Sequence, residues 1–184
     1  MKRGGRTLNL STYMIRLERF GKDNYADLIS WVGNAEELMQ FAGPAFIFPL
    51  NTEQLYISLS DTNRTAFRLV SNETDRSIGH SEIYLSENSA KIGRILIGNK
   101  DFRGKGLCRQ IMNLLLDQAF NKFKKEIVEL NVFDWNIGAI KCYEKAGFKI
   151  NPDKRLERKV NDKTWIALNM TIDRLRYEQN KVST

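Results

Sequence analysis

Between Ile92 and Ile111 the chain reads IGRILIGNKDFRGKGLCRQI, and its centre, Arg103-Gly-Lys-Gly106, has the residue types that hold an anion. Two glycines let a backbone approach a ligand closely. The first N–H groups of a helix have no intrahelical partner, and the helix dipole favours negative charge beside them. Arg103, Lys105 and Arg109 add formal positive charge. The flanking pattern supplies both supports. Ile92, Ile95, Leu96 and Ile97 form an apolar, β-branched run that reads as a strand, and Asn99 to Phe102 break it with turn chemistry. Leu107, Ile111, Leu114, Leu115 and Ala119 then follow at the spacing of a core-facing helix stripe. A basic, glycine-rich turn between a strand and a helix is a site for a phosphate or pyrophosphate.

Two common nucleotide motifs fail on spacing. A Walker loop needs Lys followed by Ser or Thr after its last glycine, and Gly106 is followed by Leu107. A dinucleotide fingerprint needs a third glycine, and Arg109 stands there. Arg103-x-x-Gly106-x-Cys108 instead resembles the Arg/Gln-x-x-Gly-x-Gly/Ala loop of the GNAT superfamily of acyl-CoA-dependent N-acyltransferases, with Cys108 departing from the usual Gly or Ala. Downstream, Asn136-x-x-Ala139-x-x-x-Tyr143-Glu144-x-x-Gly147-Phe148 resembles the second signature of the same family. Its own geometry is coherent. Asn136 is a helix-capping type, Ala139, Ile140 and Tyr143 share a helix face, and Gly147 stands where helices stop.

The resemblance implies a fold, a reaction and a set of site residues. The fold is α/β, a mixed, mostly antiparallel central sheet flanked by helices. The reaction moves an acetyl group from acetyl-CoA to a primary amine by direct attack, with coenzyme A as cosubstrate and no metal. Backbone amides at the strand end, Ile95, Leu96 and Ile97, would bind the pantetheine arm. Those of Arg103, Gly104, Lys105, Gly106, Leu107 and Cys108 would take the pyrophosphate, and Asn136 would contact the arm. Tyr143 would be the general acid. The layout, with two early helices and an aromatic loop, most resembles the branch of ribosomal-protein N-terminal and spermidine acetyltransferases. That leaves a peptide terminus, a polyamine, an amino sugar or a small metabolite as acceptor. An acid is common in this family before the glycine of the central strand, but Lys91 and Ile92 precede Gly93 here.

The residues themselves offer two bases. On Ile78-Gly-His80-Ser-Glu82-Ile-Tyr84 a period of 2 puts His80, Glu82 and Tyr84 on one face, so either His80 or Glu82 is a candidate to relay the amine's proton. Arg94 is a candidate contact for an acidic substrate group, with a surface or cofactor-facing role as the equal alternative. No His/Cys/Asp cluster has metal-ligand spacing.

The elements that must position these groups follow in order. Residues 1–13 read as an extension, 14–172 as one transferase domain and 173–184 as a polar tail with some helix. Met14 opens a strand. Asp23 to Gln40 reads as a helix in two pieces, with Asn34 capping the second, and Thr52 to Leu59 as another with Leu55, Tyr56 and Leu59 inward. The apolar loop between them, with Phe41, Phe46 and Phe48, is either core or a wall of the acceptor site. Strands are expected over 65–71, 76–85 and 89–97, antiparallel through short turns, then 126–133, a strand from Phe148, and 164–172. Lys154 to Lys163 reads as a charged, solvated loop.

Composition bounds the alternatives. A chain of 184 residues, 42% hydrophobic, can bury one sizeable core. No apolar run reaches the length of a membrane span, so no membrane partner is expected. The two cysteines, Cys108 and Cys142, suggest no disulfide framework, which fits a reducing, cytoplasmic setting. The formal charge of +7 raises nucleic acid as a partner, but Lys2, Arg3 and Arg6 carry three of those charges in the extension. Nucleic-acid binding is therefore not the expected role, and a monomer or homodimer is. A coenzyme A-binding module without turnover is the alternative from another class.

Overall fold

The structure, a computed structural model, describes residues 14–182; the expected extension over 1–13 lies outside them. Seven strands form one sheet in the order β1-β2-β3-β4-β5-β7-β6. They are β1 (Ile15–Arg19), β2 (Arg64–Ser71), β3 (Ser77–Leu85), β4 (Ser89–Ile97), β5 (Ile127–Phe133), β6 (Lys149–Val160) and β7 (Lys163–Asp173). Every neighbouring pair is antiparallel except β4 and β5, which run parallel and are joined by a crossover through α4 (Leu107–Asp117). The mixed, mostly antiparallel sheet flanked by helices is the fold expected from the sequence.

Alternation along the strands gives each face of the sheet its own core. On β2, Phe67 and Leu69 point to one side and Ala66 to the other, as a period of 2 requires. Phe67, Leu69, Ile83, Ile92, Val128 and Leu130 pack against α4 and α5 (Ile137–Lys145). The opposite face is covered by α1 (Tyr25–Ser30), α2 (Ala35–Ala42) and α3 (Thr52–Leu59) through Leu28, Leu38, Phe41 and Leu55. Side-chain caps fix where these short helices start. Asn34 Oδ1 accepts from Glu37 N at 2.8 Å, and Asn51 Oδ1 accepts from Gln54 N at 2.9 Å. Tyr56, expected inward, is exposed on α3 while Leu55 is buried.

One expectation about the C-terminal third is corrected. Residues 154–160 are not a loop but the second half of β6, paired residue by residue with β7 as far as Val160 and Lys163. Leu156, Arg158 and Val160 alternate inward with Arg155, Glu157 and Lys159 outward, so the period is present beneath the charge. An edge strand solvated along one side tolerates that charge, and it tolerates Pro152 where the register slips between Ile150 and Arg155. The polar tail folds back as α6 (Arg174–Val182), and Tyr177 stacks on Phe120 at 4.6 Å.

Candidate active site

The turn before α4 takes its shape from two glycines. Gly104 and Gly106 have φ of +73° and +71°, in the left-handed region, and a Cβ added at either would meet no atom within 4 Å. Backbone conformation, not crowding, makes them glycine. Asn99 Oδ1 accepts from Asp101 N at 3.0 Å, and Arg103 Nε donates to the Ile97 carbonyl at 2.9 Å, tying the turn to the strand end. Leu107 is buried, so only its amide is available to a ligand, whereas Arg103, Gly104, Lys105, Gly106 and Arg109 are exposed. The first turn of α4 contains no acid. The Arg103 amide is taken by the Lys100 carbonyl at 3.1 Å, but the loop from Gly104 on, the positive dipole end of α4 and three cationic side chains face solvent together.

A gap in the sheet opens beside this turn. β4 pairs with β5 only at Ser89, Ala90 and Lys91, opposite Ile127, Val128 and Glu129. Beyond that the strands part, β4 continuing against β3 and β5 against β7. A bulge drives the divergence. Between the Glu82–Gly93 and His80–Leu96 pairs, Arg94 and Ile95 on β4 oppose the single residue Ser81 on β3, and Arg94 has a φ of +50°. The β4 edge that faces β5 is thus unpaired through Ile95, Leu96 and Ile97, and such an edge needs solvent or a ligand for its amides.

Tyr143 and Asn136 lie on α5, beside α4. Asn136 Oδ1 accepts from Ala139 N at 3.3 Å, the cap that its position suggests. Tyr143 is mostly buried, its ring 6.3 Å from that of Phe148, and burial pushes its hydroxyl up to about 12. The expectation of no disulfide is corrected: Cys108 is bonded to Cys142, with their Cα atoms 6.4 Å apart. The reason is helix packing. α4 and α5 lie side by side, so residues 34 apart in sequence meet. With the bond present, the cysteines no longer argue for a reducing compartment. The bond also ties the first turn of α4 to the residue preceding Tyr143.

His80 and Glu82 are brought together, but on the opposite face of the sheet from Tyr143. His80 is fully buried between Phe20 and Phe41, and its Nε2 lies 3.0 Å from Glu82 Oε1. Arg94 Nη1 donates to Glu82 Oε1 and Oε2 at 3.1 and 3.3 Å and to Ser58 Oγ at 2.8 Å. Arg64 Nε is 3.5 Å from Glu82 Oε2, and its Nη1 also donates to Ser58 Oγ. Burial pulls the Glu82 carboxyl up. The hydrogen bond and charge of His80, with the charges of Arg94 and Arg64, more than offset it and hold it at about 2. The Arg94 guanidinium stacks over Phe46 at 4.2 Å.

A family model for the acetyltransferase (GNAT) domain matches residues 15–149. The chain belongs to the GNAT acetyltransferase family. Among GNAT relatives, a probable N-acetyltransferase, YjcK, of Bacillus subtilis is 30% identical over 99 residues, 52% of this chain and 54% of that protein. A probable spermine N(1)-acetyltransferase of Bacillus subtilis subsp. natto is 32% identical over 53 residues, 29% of this chain and 35% of that protein. These matches span about half or less of the curated relatives. The GNAT fold itself is matched by the Vibrio cholerae spermidine N-acetyltransferase crystallised with CoA and spermine. That match has a TM-score of 0.75 and 22% identity over 90% of this chain and 98% of that one. Aminoglycoside acetyltransferase AAC(6')-Ib in complex with coenzyme A and kanamycin gives 0.70 and 21% over 91% and 99%.

Within this GNAT fold, sequence reasoning missed Arg64 and Ser58, which complete the Glu82 network from β2 and α3. Arg64 follows Asn63 out of a turn, and nothing in its spacing points at a carboxylate two strands' breadth of sequence away. Among the described residues no helix is long and apolar enough to cross a membrane, and no three metal-ligating side chains cluster.

Proposed function

We propose that this chain is an acetyl-CoA-dependent N-acetyltransferase that acts on a primary amine by direct attack. The observation that carries the reading is the parting of β4 from β5 immediately beside a basic, glycine-turned helix start. The residues present fit coenzyme A. Left-handed Gly104 and Gly106 expose the loop amides toward a pyrophosphate, with Arg103, Lys105 and Arg109 as counter-charges. The open edge at Ile95–Ile97 offers amides to the amide groups of a pantetheine arm, as one strand offers them to another. Asn136 spends one oxygen contact on its cap and keeps its NH₂ for the arm. Bound acetyl-CoA supplies an activated acyl carbon and a thiolate leaving group, so one C–N bond replaces one C–S bond.

The chain's own residues hold and move protons around that exchange. Tyr143, its hydroxyl kept protonated by burial, is assigned as the donor to the departing sulfur. His80 and Glu82 are assigned a positioning role. A carboxylate held at about 2 and shared among His80, Arg94 and Arg64 has little affinity for an amine's proton. Its ion pairs instead lock the bulge that opens the gap, because Arg94 is itself the bulged residue. The acceptor's proton then leaves through water. The relatives and fold neighbours named for spermine, spermidine and kanamycin chemistry support an amine acceptor.

The test is a panel of amines (peptides with free N-termini, diamines, amino sugars) incubated with acetyl-CoA while free thiol is measured. Amine-dependent thiol release is expected. Tight acetyl-CoA binding with no product from any amine would favour a coenzyme A-binding module without turnover.

A further inference from the structure

Beyond the end of β5, on the side covered by α2, lies an open cleft of about 470 Å³ lined by Asn34, Glu36, Glu37, Gln40, Trp135 and Trp165. Its volume is that of a small-molecule site. Two indoles form one corner. Trp135 and Trp165 stand 5.2 Å apart at 77°, both ring systems braced on Phe133, which stacks parallel to Trp135 at 5.7 Å and edge-on to Trp165 at 5.0 Å. Phe133 is buried, yet Trp135 remains 46% exposed and Trp165 half-buried. Large aromatic faces braced from behind but open in front are a surface for a ligand, and the ligand that a π face selects is a cation.

Charge agrees with the aromatic corner. Facing it from the first turn of α2 are the carboxylates of Glu36 and Glu37, and none of the six lining residues is basic, although Lys and Arg outnumber Asp and Glu by 29 to 22 in the chain. Glu37 Oε2 accepts from Gly33 N at 2.8 Å, leaving its other oxygen to the cleft. Glu36 Oε1 accepts from Asn161 Nδ2 at 3.2 Å, which joins α2 to the β6–β7 turn across the cleft's rim. Arg158, opposite Trp165 on β6, donates to the Glu157 carbonyl and is not part of the lining. The place matters as much as the chemistry. Trp135 immediately precedes Asn136, and α2 packs on β4, so the cleft adjoins the end of the gap between β4 and β5.

We propose that this cleft seats a second, non-reacting ammonium group of the acceptor, so that the acceptor is a diamine, polyamine or other polycationic amine. This rests on the transferase reading above. Selectivity is by addition: the reacting amine enters the gap, and the distal cation is held between the indole faces and the Glu36 and Glu37 carboxylates. An acceptor with a carboxylate in the distal place meets like charge and is refused.

Three amines of similar length separate the outcomes: putrescine with a distal ammonium, butylamine with a methyl, and 4-aminobutyrate with a carboxylate. With acetyl-CoA, kcat/KM is expected to fall in that order, putrescine exceeding butylamine by roughly ten-fold or more. Glu36→Gln, at an exposed position where the glutamine oxygen can still accept from Asn161, should narrow the putrescine-to-butylamine ratio through KM rather than kcat, and Trp165→Leu should do the same. Equal kcat/KM for putrescine and butylamine in the wild type overturns the proposal. So does a ratio unmoved by Glu36→Gln. A separate arm needs no turnover. Putrescine alone should quench tryptophan fluorescence of the wild-type protein and do so more weakly in Glu36→Gln. Quenching without acetylation of any amine would retire the transferase reading and keep the cation site. Acetylation of butylamine and putrescine alike, without quenching, would do the reverse.

Discussion

Glu82 carries more electrostatic consequence than any other described side chain, because one carboxylate serves His80, Arg94 and Arg64 on a nearly dry face of the sheet. Glu82→Gln leaves two guanidiniums without their counter-charge, and a loss of about 3–5 kcal/mol is expected in urea unfolding at neutral pH. The pH dependence follows from the sign of the shift. The folded carboxyl titrates near 2, below its unfolded value of 4.5. Its contribution is therefore complete above pH 4.5 and is lost as pH falls from there toward 2, on the order of 3 kcal/mol in all. The gap between wild type and Glu82→Gln should close over the same window; a constant gap would mean that the carboxylate is not ion-paired. Tyr143→Phe is the matching test of chemistry. The ring and its contact with Phe148 persist, so acetyl-CoA affinity by calorimetry should hold while turnover falls roughly 10²- to 10⁴-fold. Unchanged turnover would make Tyr143 a core residue and nothing more.

At the scale of elements, the loop and the helix it starts are tested by charge. Lys105 is exposed and precedes the left-handed Gly106, so Lys105→Glu reverses a charge without straining the turn. In the wild type, coenzyme A at about 100 times its Kd should add roughly 2.7 kcal/mol and raise the Tm by several degrees; in Lys105→Glu the shift should shrink with the basal Tm unchanged. An equal shift in both would move the phosphates elsewhere. The aromatic loop divides more sharply. Phe46 is buried under the Arg94 guanidinium, whereas Phe48 is 40% exposed. Phe46→Ala is expected to cost about 3–5 kcal/mol, and Phe48→Ala well under half of that, both read from thermal melts. Comparable losses would show that Phe48 is equally part of the core.

These elements also show what the sequence could and could not tell. The strand 89–97 and the helix 52–59 were readable to the residue, because turn residues bound the strand and the spacing of Leu55 and Leu59 marks the helix. Both signature motifs were legible because each is a local pattern: Gly104 and Gly106 set a turn, and Asn136 caps the helix that carries Tyr143. β6 was not, since charges on an edge strand mask a period that only the pairing with β7 reveals. Nor were the arginines of the Glu82 network, although a period of 2 sets His80 beside Glu82, or the corner of Trp135 and Trp165. Each joins residues whose separation along the chain carries no periodic signal, and only the strand order brings them into contact.

At the scale of the whole molecule, the gap between β4 and β5 is a structural debt that the remaining sheet must carry. Three paired positions hold the parallel seam, whereas on its other side β5 pairs with β7 along all seven of its residues. The Cys108–Cys142 bond bears on that seam in another way. It closes α4, the turn after it and all of β5 into a covalent ring that begins at one signature motif and ends inside the other. The exposed lysines Lys122 and Lys124 lie in that ring, between α4 and β5. A protease that cut there would produce two polypeptides and still release nothing: they would migrate as one species on a denaturing gel, and as two only once a reductant had opened the ring.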